Sequence, residues 1–164
     1  MNSLESLDWS IGRFDQLSAR EVYLIAKLRV DVFVVEQNCA YAELDGQDLM
    51  DDTVHIVGKL QGLPLAYARI LAPECLRYRD DKQSSPAVHI GRVVVERRYR
   101  RHGLATLMMH RVLDHCEKHF AGHDQALAAQ VSAIDFYVGL GFTACSEHYL
   151  EDGIAHVDMV RTTL

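Results

Sequence analysis

Residues 88–120 of the chain are VHIGRVVVERRYRRHGLATLMMHRVLDHCEKHF, and this stretch decides the fold. Its β-branched run at residues 93–95 is typical of a buried strand. Further along, apolar residues recur at spacings of three and four, which predicts one buried helix face: Leu104, Leu107, Met108, Val112, Cys116 and Phe120. The stretch therefore predicts a strand, a basic turn and a long helix.

The basic turn, residues 97–105 (RRYRRHGLA), is predicted to bind a small polyanion. Four of its first five residues are arginine, and Gly103 stands where the backbone must turn into the helix. The unpaired N–H groups of a helix N-terminus carry partial positive charge, which favours phosphate. With a single glycine, the turn lacks the pattern of an ATP-binding P-loop and that of a dinucleotide fingerprint. A solvated basic helix start is the alternative.

The composition predicts one compact domain over residues 1–164. The chain has 164 residues, of which 49% are hydrophobic and three are proline. A formal net charge of −6 argues against general nucleic-acid binding, because nucleic-acid phosphates favour broad basic surfaces. The sequence has neither an apolar run of membrane-spanning length nor the features of a signal peptide. We therefore expect a cytoplasmic protein with no membrane or nucleic-acid partner.

No metal site is predicted. The four cysteines are widely scattered and form no CxxC pair. His115 and His119 lie one helical turn apart, but the sequence HCEKH differs from the zinc-protease pattern HExxH. Two histidines near a helix C-terminus also complement the helix dipole, which is a sufficient explanation for them.

The other segments predict an α/β fold with a mixed, mostly antiparallel twisted sheet of six to seven strands and helices on both faces. Ser18 and Glu21 form a capping box that opens a helix ending near Glu36 or Gln37. Residues 73–86 are predicted to form a polar loop, with or without a short helix. Ser132 caps a short helix at residues 133–140, and the other predicted strands cover residues 9–14, 54–60, 65–71, 125–131, 142–149 and 155–161.

A polar loop at residues 38–52 carries five carboxylates within ten residues: Glu43, Asp45, Asp48, Asp51 and Asp52. Such runs are usually solvated. The functional alternative is a rim that attracts a cationic substrate. Arg69 alternates with apolar neighbours in AYARIL, so its side chain lies either on an exposed sheet face or in a cleft.

With these motifs the chain resembles the GNAT superfamily of N-acetyltransferases, and within it the ElaA-like group. The family signature R/Q-x-x-G-x-G/A after a central strand is matched by Arg100, Gly103 and Ala105. A second element is matched by Ala133, Phe136, Tyr137, Gly141 and Phe142. The segments LRVDVFVVEQ, ELDGQD, AYARIL, IGRVVV and EDGIAHVDM are similar to the ElaA-like pattern, so the resemblance covers nearly the full length.

The resemblance implies acetyl-CoA as cosubstrate and a single-domain GNAT fold. The central strand is expected to separate from the next one near Val131, which opens a slot for the pantetheine arm. Tyr137 is the expected general acid, which protonates the departing thiolate. Val93 and Val95 would pair with pantetheine, and the backbone around the turn would bind the pyrophosphate; the full expected CoA site is Val93, Val95, Arg100, Arg101, His102, Gly103, Leu104, Ala105, Thr106 and Phe136.

The expected acceptor is a primary amine of a small molecule or peptide, cationic in character, which attacks the thioester directly in a ternary complex. Candidate acceptor-binding residues are Arg29, Glu43, Asp45, His55, Arg69, His89 and Arg92. The general base is open, because spacing does not choose among the possible proton acceptors His89, Glu43, His55, Glu147 and His156.

Two other functions remain as alternatives. The first is an acyl-homoserine lactone synthase, since six residues follow that family's order: Arg29, Phe33, Asp45, Asp48, Arg69 and Arg92. The chain departs from it at His89, where a glutamate is expected, and in the arginine-rich RRHGLA. The second alternative is a CoA-binding module without catalysis, against which Tyr137 argues. A homodimer joined through the C-terminal hairpin is a further expectation.

Overall fold

The computed structural model describes residues 6–73 and 87–163, so most of the predicted 73–86 loop, including Cys75, lies outside the described residues. Three α-helices are present in the described part: α1 (Ala19–Val30), α2 (Leu104–His119) and α3 (Ile134–Val138). Eight strands accompany them: β1 (Asp8–Gly12), β2 (Val54–Leu60), β3 (Leu63–Leu71), β4 (Val88–Val95), β5 (Gln125–Gln130), β6 (Thr143–Ala144), β7 (Tyr149–Glu151) and β8 (Ile154–Arg161).

All eight strands form one sheet in the order β1-β2-β3-β4-β5-β8-β6, and β7 also pairs with β8. Among the described strands, β4 and β5 form the one parallel pair. The mixed, mostly antiparallel α/β fold is therefore confirmed. The strand count is eight because the predicted strand at residues 142–149 is two short strands, β6 and β7, separated by exposed residues 145–148.

Helix α2 covers one face of the sheet and forms the larger core. Its buried side chains are Leu104, Met108, Met109, Val112, Leu113 and Cys116. Burial of each leucine, methionine or valine contributes about 1.5–3 kcal/mol. The predicted apolar face is slightly rotated: Leu107 is 36% exposed, whereas Met109 and Leu113 are buried. Helix α1 covers the opposite face, where Ile25, Leu28 and Val32 pack against Val57, Tyr67 and Val94. The predicted helices on both faces are confirmed.

The ends of two helices test the capping predictions. Ser18 Oγ accepts from the N–H of Glu21 at 3.2 Å, and Glu21 Oε2 accepts from the N–H of Ser18 at 3.0 Å, which confirms the capping box. After α1 the chain continues as a π-helical turn, Asp31–Glu36, so the helical segment ends where expected. The predicted Ser132 cap is wrong, because Ser132 lies inside a 3₁₀ turn, Val131–Ala133, that precedes α3.

No helix in the described part of the chain is long and apolar enough to cross a membrane.

Candidate active site

A cleft opens where β4 and β5 separate. Among the described residues, their pairing is confined to Val88 with Gln125 and His89 with Ala126. Beyond these pairs the strands diverge around a cavity of about 970 Å³, lined on the β4 side by residues 90–95. The predicted separation is confirmed, although it begins well before Val131. A parallel pair that diverges leaves backbone N–H and C=O groups on the inner strand edges for a ligand.

A β-bulge in β4 lies at the start of this divergence. Arg69 pairs with Gly91 and Tyr67 pairs with Val94, so two β4 residues, Arg92 and Val93, stand opposite one residue of β3. Arg92 has a φ of +53°, a conformation that costs about 1–2 kcal/mol for a residue with a Cβ. Bulges bend and twist a strand, which accounts for the change in the direction of β4. No sequence pattern predicted this bulge.

Strand β4 leads to the predicted anion-binding loop at residues 100–106, which we call the cradle. Arg101 and Gly103 both adopt the left-handed conformation, with φ of +64° and +80°. Within the described residues, the backbone N–H groups of residues 101–106 donate no hydrogen bond. Gly103 is the N-cap of α2 and has no side chain with which to satisfy them. These N–H groups, at the positive end of the helix dipole, suit a phosphate.

The Arg100 side chain holds the cradle in place. Its Nε donates to the carbonyl of Val95 at 2.9 Å, and its two terminal nitrogens bind the Glu36 carboxylate at 2.5 and 3.1 Å. The hydrogen bonds from Arg100 lower the pKa of Glu36. Because this guanidinium is already paired, Arg100 fixes the loop to β4 and to the π-helical turn, and the free N–H groups of the loop belong to its backbone.

Tyr137 lines the cleft from α3. Its side chain packs edge-on against Phe136 and Phe142, with ring centroids 5.1 and 6.0 Å apart. Burial raises the pKa of Tyr137 to about 12, so the hydroxyl stays protonated at neutral pH. Within the described residues this hydroxyl has no hydrogen-bond partner. The arrangement leaves one O–H group able to donate a proton into the cleft.

The acidic loop folds back against three arginines, and we call the result the arginine–carboxylate network: Arg29, Arg69, Arg92, Glu43, Asp45 and Asp48. Arg29 donates to Glu43 Oε1 at 2.6 Å, to Asp48 Oδ1 at 2.8 Å and to the Glu43 carbonyl at 3.1 Å. Arg69 binds both Asp45 oxygens at 2.8 Å and Asp48 at 3.1 Å.

Arg92, at the bulge, completes the network. Its Nε lies 2.8 Å from Glu43 Oε2, and its NH2 donates to Asp45 Oδ2 at 3.2 Å. Burial disfavours the ionised form of Asp45, but the hydrogen bonds from Arg69 outweigh burial and lower its pKa to about 2. Three carboxylates therefore balance three guanidinium groups. The interpretation of the whole acidic loop as a negatively charged rim needs correction, because only Asp51 and Asp52 of its five carboxylates are exposed among the described residues.

His55 lies beneath this network. Its Nε2 is 3.2 Å from the Asp48 carbonyl, which can only accept, so Nε2 carries the hydrogen and Nδ1 accepts from the Tyr67 hydroxyl at 2.8 Å. Burial lowers the pKa of His55, which keeps the ring neutral.

Comparison with known proteins assigns the chain to a family. Residues 76–163 match the model of the acetyltransferase (GNAT) domain. The chain is also 37% identical over 158 residues to protein ElaA of Escherichia coli strain K12, which covers 96% of this chain and 98% of that protein. The chain belongs to the GNAT acetyltransferase family. It is thus a GNAT-type acyltransferase, from a family that uses acyl-CoA as cosubstrate.

Solved structures agree with this assignment. An acyl-CoA N-acyltransferase from Pseudomonas aeruginosa superposes with a TM-score of 0.86 and 39% identity, covering 96% of this chain and 100% of that one. E. coli ElaA gives a TM-score of 0.83 at 37% identity, covering 94% and 99%. The acyl-homoserine lactone synthase LasI shares the fold, with a TM-score of 0.71 at 17% identity over 94% of this chain and 88% of that one.

The GNAT cleft contains some of the candidate acceptor-side residues and excludes others. Four candidates line it: Asp45, Arg69, His89 and Arg92. The other three, Arg29, Glu43 and His55, are 2–3% exposed and lie behind the cleft wall. They are therefore corrected from acceptor contacts to supports of the wall, because Arg29 and Glu43 are buried within the network and His55 is buried beneath it. Of the two positions that the sequence allowed for the Arg69 side chain, an exposed sheet face or a cleft, the structure shows the cleft: Arg69 is buried and lines it.

Sequence patterns missed several residues of the GNAT cleft. Tyr41, Glu151 and Asp152 line it, although neither spacing nor the ElaA-like segment EDGIAHVDM, which begins at Glu151, marked them as site residues. Gln37 and Gln130 also line it and are joined by a 3.1 Å hydrogen bond. Gly153, which follows Glu151 and Asp152, predicted a tight turn there, but it did not predict that this turn lies at the cleft. Within the described residues, no group of three or more metal-ligating side chains is present.

Proposed function

We propose that this GNAT enzyme transfers the acetyl group of acetyl-CoA to a primary amine by direct attack in a ternary complex. The observation that carries the proposal is the cleft itself, whose lining extends from Arg100 at the cradle to Tyr137 on α3. A thioester and an amine react readily once they are held together, so positioning and proton transfer are the main requirements.

The donor side follows from the backbone. We expect the free N–H groups of residues 101–106 to bind the CoA diphosphate, and the inner edge of β4 at Val93 and Val95 to pair with the pantetheine arm. Both segments meet at Val95, whose carbonyl accepts from Arg100 and thereby fixes the distance between the strand edge and the cradle.

Tyr137 is the proposed general acid. A CoA thiolate is a basic leaving group, so a proton donated as the carbon–sulfur bond breaks lowers the barrier. The raised pKa of Tyr137, about 12, favours the protonated form before the reaction. The apolar contacts with Phe136 and Phe142 hold the ring at the cleft wall.

The acceptor is proposed to be a cationic amine. The arginine–carboxylate network is neutral as a set, so it does not supply the attraction. Glu151 and Asp152 do: both are exposed, both line the cleft, and neither makes an ion pair within the described residues. Two negative charges at the mouth raise the local concentration of ammonium groups. We further propose that the enzyme works in the cytoplasm as one domain.

The test combines calorimetry with acetyl-CoA and thiol release across a panel of polyamines, amino acids, aminoglycosides and peptide N-termini. We expect acetyl-CoA to bind and cationic amines to release CoA fastest. Tyr137→Phe should retain acetyl-CoA binding and lower kcat by about 100-fold. Tyr23→Phe, at a residue 70% exposed on α1, is the matched control. Binding without thiol release for any amine would support a non-catalytic module, and lactones in extracts of an expressing strain would support a synthase.

A further inference from the structure

The structure reduces the candidate general bases to two. Glu43 and His55 are 2–3% exposed and lie within or beneath the arginine–carboxylate network. Glu147 is exposed and does not line the cleft in the described part of the chain. His89 and His156 line it. A proton acceptor must reach the amine directly or through one water, so the choice lies between these two histidines.

The contacts of His156 determine its tautomer. Nδ1 lies 2.8 Å from the carbonyl of Ile154, and a carbonyl oxygen can only accept, so Nδ1 carries the hydrogen. In the neutral ring the lone pair is then on Nε2. Within the described residues, Nε2 has no hydrogen-bond partner. The ring also stacks on Tyr149, with centroids 6.1 Å apart and planes at 24°. His156 is thus an oriented imidazole with an available basic nitrogen.

Its place in the sheet suits the acceptor side. His156 pairs with Gln130, the last residue of β5, where β4 and β5 have already separated. The next residue, Val157, is buried in the core beneath α2. Tyr137 belongs to the same core. Successive strand residues point to opposite faces, so His156 lies on the other face, which is that of α1 and Tyr67. The acid and the base therefore approach the separated strands from opposite faces.

We propose that His156 Nε2 is the general base that takes a proton from the acceptor amine. This inference rests on the proposed function. The ammonium gives one proton to Nε2, and the free amine attacks the thioester carbonyl; the C–N bond forms and the C–S bond breaks. Tyr137 gives its proton to the sulfur. The nitrogen's second proton replaces the Tyr137 proton through solvent, and His156 returns its own proton to solvent, so the products are the amide, CoA thiol and one proton.

The neighbours of His156 on its hairpin and on β5 are acidic, aromatic or neutral. Its hairpin carries the carboxylates of Glu151, Asp152 and Asp158, and Tyr149, which stacks on the ring, donates to Asp158 at 2.7 Å. Its β5 partner, Gln130, is neutral.

The experiment compares His156→Gln with His148→Gln, a control at an exposed histidine of the same region that does not line the cleft. We expect His156→Gln to lower kcat by about 100-fold or more, to leave the acetyl-CoA Kd unchanged, and to remove the acidic limb of the pH profile of kcat/KM. Added imidazole should restore part of the activity of His156→Ala and none of that of Tyr137→Phe. The pH profile and the rescue by imidazole separate a general base from a residue that merely supports the fold.

Several results would overturn the inference. Wild-type kcat in His156→Gln, or loss of the acidic limb in His89→Gln instead, would assign the base elsewhere. A lowered kcat with an unchanged pH profile and no imidazole rescue would leave His156 a structural residue. In each of these cases the wild-type enzyme still acetylates amines, so the proposed function stands. If the wild type releases no thiol with any amine, both the function and the base fail.

Discussion

Replacing Arg29 by methionine tests whether the arginine–carboxylate network holds the acceptor side together. Arg29 is 2% exposed and bonds two carboxylates, and its guanidinium lies 5.4 Å from the centre of the Tyr67 ring. Arg29→Met fills a similar volume but leaves three carboxylates facing two arginines. One buried negative charge is then uncompensated, and removal of one partner of a buried pair costs about 3–5 kcal/mol.

The assay is urea unfolding followed by circular dichroism, with the free energy of unfolding obtained by linear extrapolation. Thermal unfolding of the same variants gives a second readout. For a chain of this length, a loss of 1 kcal/mol in the free energy of unfolding lowers Tm by about 2–4 °C, so we expect the Tm of Arg29→Met to fall by roughly 6–20 °C. Arg98→Met is the control: its side chain is 81% exposed and pairs with Glu96, and such surface pairs contribute about 0–1 kcal/mol.

A second variant tests the charge argument itself. Glu43 is one of the two carboxylate partners of Arg29, so the double variant Arg29→Met/Glu43→Gln restores equal numbers of carboxylates and arginines. It should be more stable than Arg29→Met alone. The reasoning fails if Arg29→Met destabilises no more than Arg98→Met, or if the double variant is less stable than the single one.

Three further predictions concern the cradle and the pH dependence of stability. Gly103→Val puts a β-branched residue at φ +80°, a conformation that such residues disfavour even though a Cβ there meets no atom within 4 Å. Calorimetry should therefore show weaker acetyl-CoA binding. Unchanged binding would mean that the left-handed conformation of the cradle is not needed for binding. Glu36→Gln removes the carboxylate that pairs with Arg100 and should raise the acetyl-CoA Kd by about two- to fivefold without changing kcat. Stability should fall first below pH 6.5, the ordinary pKa of histidine, because folded His55 resists protonation, and again between pH 3.8 and about 2 as Asp45 is protonated; urea midpoints that stay constant from pH 7 to 3 would contradict this.

The local patterns that predicted correctly are those whose physics acts within a few residues. The Ser18–Glu21 capping box depends on two hydrogen bonds within one turn. The basic turn before α2 depends on one glycine and on the dipole of the helix that follows. Strand β2 was located residue for residue, because a β-branched, apolar run bounded by turn residues has few other ways to bury itself. Ser132 failed since the 3₁₀ turn before α3 competes with a cap.

The acceptor side depended on contacts between segments far apart in sequence. Glu43 lies 14 positions from Arg29 and 49 positions from Arg92 in the sequence, yet their charges lie together in space. The five carboxylates of the acidic loop therefore looked like a rim from sequence, whereas most are paired. The bulge at Arg92 was equally hidden, because its register shift is a relation between β3 and β4.

By itself, the sequence determined the α/β fold, the glycine turn before α2 and the position of Tyr137, because apolar periodicity, a helix N-terminus and a local motif are written in neighbouring residues. Tertiary structure alone decided how far β4 and β5 separate, which charges remain free at the cleft mouth, and which histidine offers an unpaired nitrogen. Each of these is set by a partner on another segment, since a side chain's charge, burial and tautomer follow from what folding places beside it.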